Sequence, residues 1–331
     1  RLVKTAGANV IKLPNISASV PQVVAAVKEL QAKGFDLPNY PEAPQTDADK
    51  AIRARYDAIK GSAVNPVLRE GNSDRRAAKA VKNFAQNNPH RMGNWSAESK
   101  THVSSMSDND FFSNEKSATL VADVIVKIVL ETATDEIVLK DGLSFPEGTV
   151  VDATFMSVAA LKEFLATEIE KTKAEGTLFS LHLKSTMMKV SDPILFGHAV
   201  KAFLAPVFDA HIDALDALGV NPNSGLGDML TRVKDNATIV ADIEACIASR
   251  PPMYMVDSDK SITNLHVSSD VIIDASMPEL IRAGGKGWGP DGTESDANCV
   301  IPDNSYAPIY DETIKFFKEN GKMNPATAGT V

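Results

Sequence analysis

Val158-Ala-Ala-Leu-Lys-Glu-Phe-Leu-Ala-Thr-Glu-Ile-Glu-Lys-Thr-Lys-Ala-Glu175, closed by Gly176, runs straight into Thr177-Leu-Phe-Ser-Leu-His-Leu-Lys184. Leu161, Phe164, Leu165 and Ile169 recur at the spacing of one helix face, and the glycine marks the stop. The next eight residues change period: Phe179, Leu181 and Leu183 alternate with Ser180, His182 and Lys184, the pattern of a half-buried strand. A helix feeding a strand in this way predicts an α/β protein.

The same alternation extends outward in both directions. Towards the N-terminus, Leu120 to Leu130 and Glu136 to Leu139 are predicted strands. Asn87 to Asn114 is polar and aromatic-dotted, and reads as loop or short strands. Ser19 caps a predicted helix from Pro21 with Val23, Val24, Val27 and Leu30 on one face and Gly34 as its stop. After the prolines at 38, 41 and 44, Asp47 is the predicted cap of a helix over Ala48 to Lys60. Towards the C-terminus, His198 to Leu218 and Ala237 to Ala248 are predicted helices. Tyr254 to Val256 and Asp270 to Asp274 (DVIID) are predicted short buried strands.

The chain has 331 residues, which suggests two domains. Its 44% hydrophobic and 23% charged residues belong to an ordinary globular protein. Lys and Arg number 34 against 43 Asp and Glu, a net charge of −9, which argues against a general nucleic-acid binder. No apolar run approaches the roughly 20 residues of a membrane-spanning helix. Arg1 to Asn9 leads into no signal-peptide core. Cys246 and Cys299 lack CxxC spacing and are expected to be buried, neutral thiols.

Familiar catalytic motifs are missing. There is no GxxxxGK[ST], no GxGxxG between a strand and a helix, no HExxH and no GxSxG. The glycines at 225 and 227, and those over 284–292, are expected to form surface turns.

What stands out is Gly61-Ser-Ala-Val-Asn-Pro-Val-Leu-Arg-Glu-Gly-Asn-Ser-Asp-Arg-Arg76, which gathers Ser62, Asn65, Arg69, Arg75 and Arg76 in an acidic chain. Planar guanidinium forks grip carboxylates, and Ser and Asn donors complete an anion cage. A solvated loop with surface ion pairs is the plainer alternative. Lys184, at its strand end, is a candidate for proton transfer or an ordinary strand-end lysine. Asp270 and Asp274 are candidate hard-oxygen ligands for Mg²⁺ or Mn²⁺, or turn caps.

Taken together, Ile11-Lys-Leu-Pro-Asn-Ile-Ser-Ala-Ser19, the 61–76 run, Leu181-His-Leu-Lys-Ser-Thr-Met-Met-Lys-Val-Ser-Asp-Pro193, Ile262-Thr-Asn-Leu-His266 and the segment 270–278 resemble monomeric NADP-dependent isocitrate dehydrogenases, in order and over nearly the whole chain. The resemblance implies an isocitrate/isopropylmalate dehydrogenase-like α/β fold with two domains and a cleft. Residues 1–75 would be part of the small domain and 76–331 the first part of the large one.

It further implies a cytoplasmic, monomeric enzyme that oxidatively decarboxylates isocitrate, with NADP and Mg²⁺ or Mn²⁺ as cofactors and neither nucleic acid nor membrane as partner. Ser62, Asn65, Arg69 and Arg75 would hold the isocitrate carboxylates. Lys12, Asn15 and Ser17 would lie at the nicotinamide end of NADP, Lys184 would be the catalytic lysine, and Asp274 a metal ligand. Family members are roughly twice as long, so the sequence resembles an internal segment, expected to be inactive on its own. The alternative is a piece that only folds or binds a small polycarboxylate.

Overall fold

The structure is a computed structural model that describes residues 20–59, 87–88, 92–184 and 191–321. In chain order it has α1 (Val20–Ala32), α2 (Asp47–Ile59), β1 (His102–Ser104), α3 (Phe111–Asn114), β2 (Lys116–Thr119), β3 (Val124–Glu131), β4 (Glu136–Phe145), β5 (Val150–Ala153), α4 (Val158–Glu175) and β6 (Leu178–Leu181). There follow α5 (Ser191–Phe203), α6 (Ala205–Ala217), α7 (Leu226–Val233), α8 (Ala237–Ser249), β7 (Met255–Asp257), β8 (Ile262–Thr263), α9 (Ile273–Arg282), β9 (Lys286–Trp288), β10 (Glu294–Val300) and α10 (Ala307–Asn320). The fold is mixed α/β as the pattern predicts, but helix and strand do not simply alternate: four helices, α5 to α8, follow one another between β6 and β7.

Local chemistry explains the helix ends. Ser157 accepts from the Ala160 N–H at the start of α4, and Gly176 closes it at φ 68°, in the left-handed region. At α2 the cap is Thr46 and not Asp47: the Asp49 N–H donates to Thr46 Oγ1 while Asp49 Oδ2 accepts from the Thr46 N–H, both at 3.1 Å. This reciprocal box satisfies two N–H groups at once, with Asp49 standing where Glu or Gln is usual.

The central sheet is parallel, ordered β1–β10–β6, with β9 antiparallel along the first half of β10. Ala297, Asn298, Cys299 and Val300 of β10 are all buried, as in a parallel sheet covered on both faces. The half-buried strand expected at 177–184 is instead wholly buried over β6. Phe179, Leu181 and Leu183 enter one core with Leu161, Leu165, Ile169 and Phe203, whereas Leu178 joins a second core with Cys299, Met277 and Phe317. Burying one such large side chain contributes about 1.5–3 kcal/mol, so the two layers fix the strand's position firmly. Its polar positions face helix α9 rather than water, and bond internally.

Other expectations shift. The segment Asp270–Asp274 is not a strand: Ser268–Val271 is a turn of 3₁₀ helix, and Ile273 opens α9. The predicted helix over His198 to Leu218 divides at Leu204 into α5 and α6, whose axes lie 109° apart. From 92 to 114 the described residues form β1 and the single turn α3. The β3–β4 hairpin is a two-stranded ribbon with Ile125, Ile128 and Leu139 exposed.

The glycine-dense stretches are not surface turns throughout. Gly225, at φ 89°, lies so close to the chain at His266 that an added Cβ would sit 2.2 Å from the His266 carbonyl oxygen. Gly285, at φ 80°, lies beneath Trp95, whose ring a Cβ would meet at 2.6 Å. Both positions combine a left-handed backbone with close packing, which only glycine accommodates. Among the described residues no single helix is long and apolar enough to cross a membrane. Cys246 and Cys299 are buried free thiols, as expected.

Candidate functional site

The end of β6 and the start of α9 are built against each other. Leu183 donates its N–H to the Val271 carbonyl at 2.7 Å and accepts from the Ile273 N–H at 2.8 Å. These two bonds bring the first turn of a helix to the residue that follows Leu183. That residue is Lys184, and Asp274 lies in the helix's first turn. The Lys184 ammonium donates to Asp274 Oδ2. Asp274 is half-exposed, whereas the Lys184 side chain is 13% exposed, so the lysine carries most of the desolvation. The Tyr306 ring centroid, 5.5 Å from Nζ, adds a cation–π contact.

Lys184 lines a cavity of about 300 Å³ together with Asp192, Asp303, Tyr306, His182 and Ile273. Asp192 stands at the start of α5 and is buried. Burial raises its carboxyl to about 6, and Asp303 reinforces the rise, against the opposing Ser191 hydroxyl and Lys184. Burial likewise raises Asp303, although its Oδ1 accepts from the Phe112 N–H at 3.1 Å. The cavity therefore sets a fixed cation beside two carboxyls that resist ionisation. Such a site can bind a polar molecule and hand a proton to it or from it.

Of the residues singled out from sequence, the structure brings Lys184 and Asp274 together. Neither Asp270 nor Asp274 lines the cavity itself; Asp274 meets it only through Lys184, and burial raises the Asp270 carboxyl to about 6. Ser62, Asn65, Arg69, Arg75, Lys12, Asn15 and Ser17 lie outside the described residues. Asp192, Asp303 and Tyr306 were not anticipated. Asp192 carries one sequence signal, an acidic residue directly before Pro193 at a helix start; the other two carry none, since only folding brings them here.

Asp274 fits a divalent ion as a single hard oxygen donor. Among the described residues no three His, Cys, Asp or Glu side chains are grouped to hold a metal. A complete oxygen cage needs more ligands than this one carboxylate.

Over residues 1–331 the chain matches the family described as monomeric isocitrate dehydrogenase. It is 53% identical over 336 residues to the isocitrate dehydrogenase (NADP) 2 of Colwellia maris, covering 100% of this chain and 45% of that protein. It is 53% identical over 338 residues to the isocitrate dehydrogenase (NADP) of Azotobacter vinelandii, covering 100% of this chain and 46% of that protein. To the isocitrate dehydrogenase (NADP) 2 of Mycobacterium tuberculosis it is 49% identical over 337 residues, covering 100% and 45%. The chain thus spans about half the length of these curated relatives.

Proposed function

Because the chain belongs to the monomeric isocitrate dehydrogenase family, we propose that it takes part in the NADP-dependent oxidative decarboxylation of isocitrate to 2-oxoglutarate. The observation that carries this reading is the ion pair of Lys184 with Asp274 at a cavity lined by further ionisable groups. Residues 1–75 are assigned to a small domain and 76–331 to a large one, with the substrate in the cleft between them. The protein is assigned to the cytoplasm as a monomer; its two buried free thiols suit a reducing compartment.

In this reading Ser62, Asn65, Arg69 and Arg75 bind and orient the substrate carboxylates, where bidentate guanidinium contacts fix direction as well as charge. Lys12, Asn15 and Ser17 hold the nicotinamide end of NADP, which when bound supplies the hydride acceptor. Lys184 holds or moves a proton at Nζ, close to the substrate hydroxyl and to the carbon left by decarboxylation. Asp274 contributes one oxygen to Mg²⁺ or Mn²⁺; such an ion polarises the hydroxyl and stabilises developing negative charge. Its half-exposed carboxylate remains reachable, and its bond to Lys184 sets the distance between the two functions.

Lys184→Met in the catalytically active protein tests this directly. NADPH formation from isocitrate is expected to lose kcat by ~100-fold or more while KM moves little, the signature of a proton-transfer group. Near-normal turnover would remove Lys184 from the mechanism.

A further inference from the structure

The polar face of the strand leading to Lys184 is buried, and its hydrogens can be traced. His182 is 2% exposed. Its Nδ1 lies 2.7 Å from Ser276 Oγ and its Nε2 2.8 Å from Ser180 Oγ. Ser276 Oγ donates its only hydrogen to the Ile272 carbonyl at 2.9 Å. It is therefore the acceptor from His182, whose Nδ1 carries the proton while Nε2 accepts from Ser180. Burial holds the imidazole neutral, with its pKa near 3, so this arrangement does not titrate in the ordinary range.

The helix at the other end of this link needs support. Its N-cap is Ile272, which makes no side-chain capping bond. Pro278 lies four residues beyond Asp274 inside the same helix and has no N–H to give the Asp274 carbonyl. The turn that carries Asp274 thus lacks one bond of its own helix, and is closed at its start by the Ile272 carbonyl, which accepts from the Ala275 and Ser276 N–H groups at 3.0 and 2.9 Å. The strand anchors it at two points, Leu183 through the backbone and His182 through Ser276, beside the Tyr310 hydroxyl of α10 on the Ile273 carbonyl at 3.5 Å and the burial of Ile273 in the core.

We propose that His182 is a positioning residue, which fixes the first turn of α9 to the end of β6 and so keeps the Asp274 carboxylate on the Lys184 ammonium. The inference rests on the functional reading of Lys184 and Asp274 above.

The test uses the catalytically active protein with Ser276→Ala, His182→Leu, their double variant and His182→Asn, whose amide can still donate to Ser276. Two readouts are taken: acetylation of Lys184 by acetic anhydride, followed by peptide mass spectrometry, and steady-state kinetics. Ser276→Ala and His182→Leu are expected to speed Lys184 acetylation severalfold, as Asp274→Asn should, and to lower kcat by ~10–100-fold with KM for NADP little changed. The double variant should be no worse than the poorer single one, and His182→Asn should recover most of the loss. Unchanged acetylation in folded Ser276→Ala overturns the positioning role, and so do additive losses. If His182→Leu fails to fold, Ser276→Ala alone decides. Faster acetylation with normal kcat upholds the positioning but removes the Lys184–Asp274 pair from the reaction.

Discussion

Asp192 gives the sharpest prediction, because its burial decides the sign of the effect. In the unfolded chain its carboxyl titrates near 3.8; in the fold, burial first and repulsion from Asp303 second raise it to about 6. At 1.36 kcal/mol per pH unit, keeping this carboxylate charged in the native state costs about 3 kcal/mol. Below pH ~4 both states are protonated and the cost is absent. As pH rises from 4 to 6 the unfolded state releases its proton first, so stability falls, and above ~6 the full penalty applies. Asp192→Asn keeps the shape and an acceptor for the Ser191 hydroxyl, 3.2 Å away in the native protein, but cannot ionise. It should therefore match the native protein at pH 4 and exceed it by ~2–3 kcal/mol at pH 8. Urea unfolding across this range measures it, with Trp95 as reporter, since that ring is buried and stacked on Phe317 at 5.8 Å. A stability difference that does not change between pH 4 and 8 would refute the reasoning, as would a less stable variant at pH 8.

Three further outcomes concern the glycine beneath Trp95, the two thiols and two of the arginines. Gly285→Ala forces a Cβ into the Trp95 ring at a left-handed backbone, and should cost ~2–4 kcal/mol in a thermal or urea melt. Burial pushes the Cys299 thiol up to about 12, and Cys246 is also buried, so neither should react quickly with Ellman's reagent at pH 8 until the protein is unfolded. In the catalytically active protein, Arg69→Lys and Arg75→Lys should each raise KM for isocitrate ~10-fold or more, because a point-like ammonium cannot replace a bidentate fork; unchanged KM values would remove both arginines from the substrate cage.

The α/β class and α4 were legible because they are written in local periodicity and in Gly176. The polar face of β6 was misjudged for a physical reason. Alternation tells which side chains share a face, but not whether the opposite face meets water or a second layer. Ser180 and His182 look solvated in sequence; covered by α9, they bond to each other and to Ser276. Asp270 to Asp274 failed differently. Val271, Ile272 and Ile273 favour a strand locally, yet the backbone bonds of Leu183 to Val271 and Ile273 fix this segment at a helix start. Tertiary contacts overrode propensity there.

The candidate site shows the same division at closer range. Lys184 and Asp274 are 90 residues apart in sequence, and each was picked out separately as a residue type suited to proton transfer or to a hard cation. Nothing in the spacing linked them. The link is the backbone exchange at Leu183, which converts a strand end and a helix start into neighbours and places a carboxylate within reach of a largely buried ammonium. That ammonium would be costly without a partner, so Asp274 is needed for the lysine's placement as well as for any ligand it helps to hold. Removing Asp274 would then leave Lys184 beside Asp192, whose carboxyl the lysine already draws downward. Above pH ~6 that carboxyl is ionised in the fold and can take over the ion pair. The two acids therefore stand in different relations to Lys184: Asp274 is its ion-pair partner, and Asp192 is a buried carboxyl in the cavity that the lysine lines.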